Sequence, residues 1–326
     1  MNKFKYYFIL LITTISLFSC SKNDTATVEP LRDYAVQYAT DNTDIEEYLK
    51  TNYITVINHP GFTDDQDITI TKIPTGGTQK SIFDQTDYEL KTRNVSLHDV
   101  TYKMYYLVLR TGTGTAPCNV DGVLTAYKGE YLERITTSGV ATLTSTPFEE
   151  VKYPQTFLSL FSTITGWGEI FPQFKSGTYT SNADGTVTHN DFGAGVMFIP
   201  SGLAYYASGS GIIPAYAPLV FSFKLFEINR LDQDLDGVPS YLEDLNGDGY
   251  MHDFRSTISY PTTPTVNLDD TDGDGIPNFI DVDDDGDNYT TKLEIKNPDT
   301  GLPYPFAEIP SCTSGKKNYL DATCHP

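Results

Sequence analysis

Between Asp232 and Glu294 the chain carries 17 carboxylates against two basic side chains, Arg255 and Lys292, so this one segment holds -15 of a formal net charge of -21. Like charges at that density repel, and an ionised carboxylate buried without a partner costs more than a domain's net stability. The segment must therefore remain solvated or draw positive charge from outside the chain. Its spacing points to the second course. Asp232-Gln-Asp234-Leu-Asp236-Gly237 puts carboxylates at loop positions 1, 3 and 5, glycine at 6 and Glu243 at 12, the ligand spacing of a calcium loop.

The phase recurs. Asp270, Asp272 and Asp274 with Gly275 close on Asp281; Asp283, Asp285 and Asp287 close on Glu294, with Asn288 in the glycine place, where asparagine tolerates a left-handed backbone. Asp244, Asn246, Asp248 and Gly249 begin a fourth loop whose closing position is Arg255. Flanking EF-hand helices are not expected, because Pro239 and Pro277 fall inside the loops and successive loops abut. In this the segment resembles thrombospondin type 3 repeats, in which chain wraps calcium with little other core. The resemblance implies structural Ca2+ and little regular secondary structure, against the plainer reading of a solvated acidic linker.

The overall acidity also excludes nucleic acid and basic-patch binding to anionic membranes. Membrane attachment is expected by another route. Met1-Asn-Lys3-Phe-Lys5, an apolar run from Tyr6 to Phe18 and Ser19 make a secretory signal too short to span a bilayer. Leu17-Phe18-Ser19-Cys20 resembles a bacterial lipobox, which implies acylation of Cys20, and Ser21 after it implies an outer-membrane lipoprotein facing the periplasm or the cell exterior. In such a space Cys312 and Cys324 could pair, while Cys118 is expected as a small buried hydrophobe.

Thr43-Asp-Ile-Glu46 has capping-box spacing, and Ile45, Tyr48, Leu49 and Tyr53 follow at helical intervals, predicting one short helix that ends near Asn52 and packs on the following domain. From Tyr102 the pattern becomes aromatic and β-branched, and Phe221 to Ile228 alternates as a half-buried strand. Set in order along this region are Tyr127-Lys-Gly129, Pro147-Phe148-Glu149, Phe157 to Phe161, Ile164-Thr-Gly166-Trp167, Ile199-Pro200-Ser-Gly-Leu-Ala204-Tyr205, Gly211-Ile-Ile213-Pro214 and a final strand with Phe221. From about Tyr102 to Asn229 that series resembles the FK506-binding-protein (FKBP) family of peptidyl-prolyl cis-trans isomerases. The resemblance implies an α+β fold, a curved antiparallel β-sheet wrapped on a short helix, expected at Phe157 to Phe161 or nearby.

It also implies a site. Tyr127, Phe148, Phe157, Trp167, Tyr205 and Phe221 would form an aromatic pocket walled by Ile164 and Ile213, with Glu149 in the place of the family's Asp, hydrogen-bonding near Tyr127. Trp167 would be the floor, the Tyr205 hydroxyl a donor to the substrate carbonyl, and the Ile164 N–H a donor to the ligand. Such a site needs no cofactor: rotation about an X-Pro bond is opposed by amide resonance, and a dry pocket favours the twisted, less polar amide. Besides Glu149, other features depart from the pattern. Tyr206 replaces the glycine after Ala204-Tyr205 and is expected at the pocket rim, Ala215 follows Pro214 where the family commonly has a second Pro, and insertions lie at Ile135 to Ser145 and at Thr178 to Asp191, the latter an added hairpin or loop.

The expected organisation is a signal peptide over 1-19, a tether over 20-32, an N-terminal extension over 33-100, the isomerase domain over 101-230, acidic calcium repeats over 231-295 and a tail over 296-326. The expected function is a lipid-anchored isomerase acting on X-Pro segments of exported proteins. The competing expectation is a non-catalytic surface lipoprotein that uses a degenerate FKBP domain to hold peptide or as structure.

Overall fold

The computed structural model describes residues 30–324, so the expected signal peptide, Cys20 and most of the tether lie outside the described residues. Among the described residues no helix is long and apolar enough to cross a membrane. Secondary structure is mainly antiparallel sheet with a few short helices, the α+β class expected.

The N-terminal helix α1 runs Tyr34–Thr51 and is longer than its sequence signal. Asp33, whose side chain accepts from the Val36 N–H, caps it, while Thr43 sits mid-helix with its hydroxyl donating to the Ala39 carbonyl. The capping-box spacing at Thr43 is therefore coincidental, since a helix can carry it internally with the hydroxyl turned back on the preceding turn. β1 (Asn52–Val56) and β2 (Ile68–Lys72) form a hairpin. The main sheet is built from β3 (Glu89–Leu97), β4 (Val100–Arg110), β5 (Gly122–Thr137), β6 (Val140–Val151), the two-residue β7 (Leu158–Ser159), β10 (Gly193–Ile199) and β11 (Leu219–Asn229). Its order is β3-β4-β10-β11-β5-β6, with β7 on β5 and every pair antiparallel. The sheet takes in β3, so it reaches back beyond the expected domain start at 101. β8 (Thr178–Ser181) and β9 (Val187–Asn190) form a hairpin at the second insertion, where a hairpin or a loop was expected.

Alternation along the central strands serves two cores. Tyr102, Met104, Met197, Ile199, Phe221 and Phe223 pack into one with Trp167, Phe171 and Phe174; Tyr105, Leu107, Val196, Phe198 and Val220 pack into the other with Ile45, Tyr48 and Leu49 of α1. Both faces are covered, which is why every residue of β10 is buried and why β11 is not the half-buried strand that its alternation indicates. The short helix against the sheet, α2, is Thr165–Ile170 rather than Phe157–Phe161, where β7 and a single 3-10 turn at Leu160–Ser162 lie.

The acidic segment is almost wholly turn, with 3-10 turns at Ser240–Leu242 and Asn278–Ile280 and one α-helical turn α3 at Thr291–Glu294. It is fastened to the sheet domain: Asn119 and Met251 exchange two hydrogen bonds of 2.7 and 2.9 Å, Gln233 donates to the Val120 carbonyl at 2.7 Å, and Arg230 lies over the Tyr241 ring. Cys118 is buried at this junction with Val120, Met251 and Phe279, and burial pushes its thiol up to about 12, the state of a packing residue and not a nucleophile. Cys312 and Cys324 form a disulfide.

Candidate functional site

Trp167 stands in the first turn of α2, directly after Gly166, whose hydrogen faces Ile199: a Cβ there would come within 2.6 Å of that side chain. Only glycine lets the turn lie this close to β10. Around the indole, which is 4% exposed, rings meet edge to face: Tyr127 at a centroid distance of 5.0 Å and Phe221 at 5.2 Å, with Phe148 on Phe221 at 5.5 Å. That geometry sets ring edges against ring faces and fixes the cage. Gly129, opposite Phe221 on the neighbouring strand, is required by it, because a Cβ would stand 2.4 Å from Phe148 and 2.7 Å from Phe221.

These rings line a cleft of about 550 Å³ whose wall includes Tyr127, Phe148, Glu149, Ile164, Trp167, Tyr205 and Phe221, together with Leu158, Thr165 and Ala204. Seven of the nine residues named from the sequence thus converge. Phe157 does not: it is 41% exposed and lines a separate cleft with His189 and Phe226. The aromatic run begins one residue before β7, and strand alternation turns its Phe157 away from the cleft and Leu158 toward it. Ile213 is also absent from the cleft wall, being buried in the core cluster that includes Trp167 and Phe221.

Glu149 reaches Tyr127 despite its longer arm. Burial, then the hydrogen-bonded and charged Glu149 carboxylate, push the Tyr127 phenol up to about 12, so it is a neutral donor at any physiological pH. The Trp167 Nε1–H is buried without an acceptor. Tyr206 is not on the rim. Its φ of +44° keeps the left-handed turn that glycine would make, and its ring stacks on Tyr34 of α1 at 4.1 Å.

One support of the cleft is not legible from motif spacing. Glu169 of α2, 4% exposed, pairs with Arg93 Nε at 2.7 Å; the Arg93 guanidinium lies 3.5 Å from the centre of the Tyr250 ring; and the Tyr250 hydroxyl donates to the Glu169 carbonyl at 3.0 Å while accepting from Gln173 at 2.7 Å. Tyr250 belongs to the acidic segment, so that segment holds the back of the helix that carries Trp167.

The acidic loops share one fold. In the first, Gly237 N–H donates to Asp232 Oδ2 and Val238 N–H to Asp236 Oδ1; in the second, Gly275 to Asp270 Oδ2 and Ile276 to Asp274 Oδ1; in the third, Asn288 to Asp283 Oδ2 and Tyr289 to Asp287 Oδ1. The sixth position is left-handed in each, at +108° for Gly237, +97° for Gly275 and +75° for Asn288. One carboxylate oxygen from each of Asp232, Asp234 and Asp236 falls within 4.8 Å of the others, and likewise for Asp270, Asp272 and Asp274 and for Asp283, Asp285 and Asp287. Two oxygens opposite one another on an ion with bonds of about 2.4 Å are about 4.8 Å apart, so the trios suit a calcium-sized ion, and all-oxygen donors suit a hard cation. Buried oxygens without hydrogen-bond partners, among them both of Asp285 and both of Glu294, fit the same group. Asp281 falls outside its expected trio; its Oδ1 accepts from the Asp283 N–H. The fourth loop lacks a closing acid of its own, yet Asp269, 2% exposed, accepts from its Leu245 N–H at 2.9 Å.

Three comparisons bear on these regions. The family described as BamM C-terminal matches residues 233–319, the acidic segment and most of the tail. Among solved structures, a peptidyl-prolyl cis-trans isomerase from Pseudomonas syringae pv. tomato is 18% identical over 60% of this chain and 94% of its own, at a TM-score of 0.32. FkpA from Escherichia coli is 25% identical over 42% of this chain and 51% of its own, at a TM-score of 0.30, so this chain spans about half of FkpA. No curated protein matches. These structural likenesses are loose, and the chemistry of the cleft has to be read from its own geometry.

Proposed function

We propose that the sheet domain is an FKBP-type peptidyl-prolyl cis-trans isomerase that acts at the Trp167 cleft. The observation that carries this reading is the edge-to-face cage of Tyr127, Phe148 and Phe221 over a buried Trp167, open to solvent and lined by the Tyr205 and Ile164 positions that the FKBP pattern marks. A pyrrolidine ring seated on the indole would leave water while its preceding amide stays at the mouth. As that amide twists, its resonance and charge separation are lost, and the apolar walls favour the twisted form over the planar one. Tyr205 would donate to the substrate carbonyl. No proton moves along the reaction, and Tyr127, held neutral beside Glu149, shapes the wall.

The substrates in this reading are X-Pro segments of exported proteins, met by a chain that Cys20 acylation anchors at the outer membrane. The trios at Asp232, Asp270 and Asp283 would hold structural Ca2+. The test is exchange NMR on a short X-Pro peptide with the soluble chain that starts after Cys20, in calcium. The expected outcome is catalysis that falls at least tenfold in Tyr205→Phe, Trp167→Leu. A folded protein without catalysis would leave the cleft as a peptide-holding surface.

A further inference from the structure

Glu243 was expected to close the first loop, and its carboxylate lies beside that loop's Asp236 but also faces Asp284 of the third. It is fully buried, and neither of its oxygens has a hydrogen-bond partner. One of them falls within 4.8 Å of carboxylate oxygens from both Asp236 and Asp284. Asp284 is 1% exposed and both of its oxygens are also without partners; the nearby Thr291 hydroxyl accepts from the Asp284 backbone N–H instead. Asp284 is outside the loop phase altogether, lying between the third loop's first and second ligands. Asp236 belongs at once to this group and to the trio of the first loop.

Three buried acids in mutual reach, with five oxygens unpartnered and no ion pair to any of them among the described residues, cannot all be ionised without positive charge between them. Lys292, whose charge is felt by Asp236, spends its ammonium on the Leu235 carbonyl at 3.0 Å. Asp236 Oδ2, both oxygens of Glu243 and both of Asp284 amount to most of the six to eight oxygens that calcium takes.

We infer that Asp236, Glu243 and Asp284 hold a divalent cation of their own, which shares the Asp236 carboxylate with the ion of the first loop and staples residues 232–243 to the third loop. It rests on the loops being cation sites, and goes beyond that by assigning an interior ion to a residue outside every loop's ligand pattern. The pair of ions would make the first and third loops one rigid body although some 40 residues separate them in sequence.

Metal content by mass spectrometry, after dialysis of the calcium-loaded soluble chain, tests this. Asp284→Asn should carry one ion fewer than the wild type. In the wild type loaded with manganese, electron paramagnetic resonance should show a spin-coupled pair bridged by Asp236. Equal ion counts in the two proteins, or only isolated manganese signals in the wild type at every loading, would overturn it; the second measurement decides even where Asp284→Asn does not fold. A wild type with no bound ion would instead bring down the loop reading as a whole.

Discussion

Tyr206 shows how one side chain can be wrong for its backbone and right for its neighbours. A left-handed φ costs a non-glycine residue about 1–2 kcal/mol, and here the residue stacks on Tyr34 and meets Tyr216 edge to face at 5.0 Å, contacts of about 0.5–1.5 kcal/mol each. Tyr206→Ala keeps the strain and loses the rings, so it should lower unfolding free energy by about 2 kcal/mol in urea titrations. Tyr206→Gly loses the rings but relaxes the turn, and its loss should be smaller. Because the ring faces α1 and not the cleft, neither variant should change peptide isomerisation more than about twofold, a factor that corresponds to well under 1 kcal/mol. From the sequence Tyr206 reads as an obstruction at the pocket, since nothing local says that Tyr34, about 170 residues upstream, will stack on it.

At the scale of elements, α1 is the buttress of the loop that carries Tyr205. Asp41, 1% exposed, accepts from the Ser201 N–H and hydroxyl at 2.7 and 2.6 Å, and Tyr38 accepts from the Lys103 N–H at 2.8 Å. His98 closes the same interface, stacked on Tyr34 at 3.7 Å with Nδ1 3.0 Å from the Tyr102 hydroxyl. Burial pushes its imidazole down to about 4, whereas in the unfolded chain it titrates near 6.5. As pH falls from 6.5 to 4 the unfolded state gains a proton that the folded state refuses, so stability falls across that window. Burial pushes Asp41 the other way, up to about 6, so between about pH 4 and 6 the folded state keeps a proton that the unfolded state has lost, and this gain in stability fades as pH rises through 6. His98→Phe preserves the stack and removes only the first contribution. Its urea-unfolding free energy should therefore fall less than the wild type's between pH 6.5 and 4; an unchanged pH profile would refute the assignment.

Across the whole molecule, the acidic segment and the sheet domain depend on different forces. The sheet is held by two hydrophobic cores, while the segment buries small clusters, such as Val238, Ile295, Ile309 and Tyr319, among carboxylates that in the proposed reading a cation neutralises. Chelation should therefore raise amide exchange from 232 to 321 first. Through Tyr250 on Glu169 and Asn119 on Met251 the loosening should reach Glu169–Gln173, the back of the Trp167 helix, while β4, β10 and β11 keep their protection. Mass-detected hydrogen exchange in calcium and in chelator reads this directly. Simultaneous loss in the central strands would mean a single cooperative unit, and no change anywhere would mean that the segment does not need cations.

The sequence by itself determined whatever depends on local spacing: the Asp-x-Asp-x-Asp-Gly phase and its left-handed sixth position, the strand periodicity from Tyr102, and the ordered aromatic set whose Tyr127, Phe148, Trp167, Tyr205 and Phe221 share a cleft. These survive because turn chemistry and side-chain alternation act over a few residues. Only the tertiary structure decided that Phe157 and Ile213 leave the cleft, that Tyr206 turns to α1, that β3 completes the sheet and that Asp284 and Asp269 face loops other than their own. Each of those outcomes sets together groups many residues apart, and what they meet is fixed by the packing of whole elements, which no local pattern encodes.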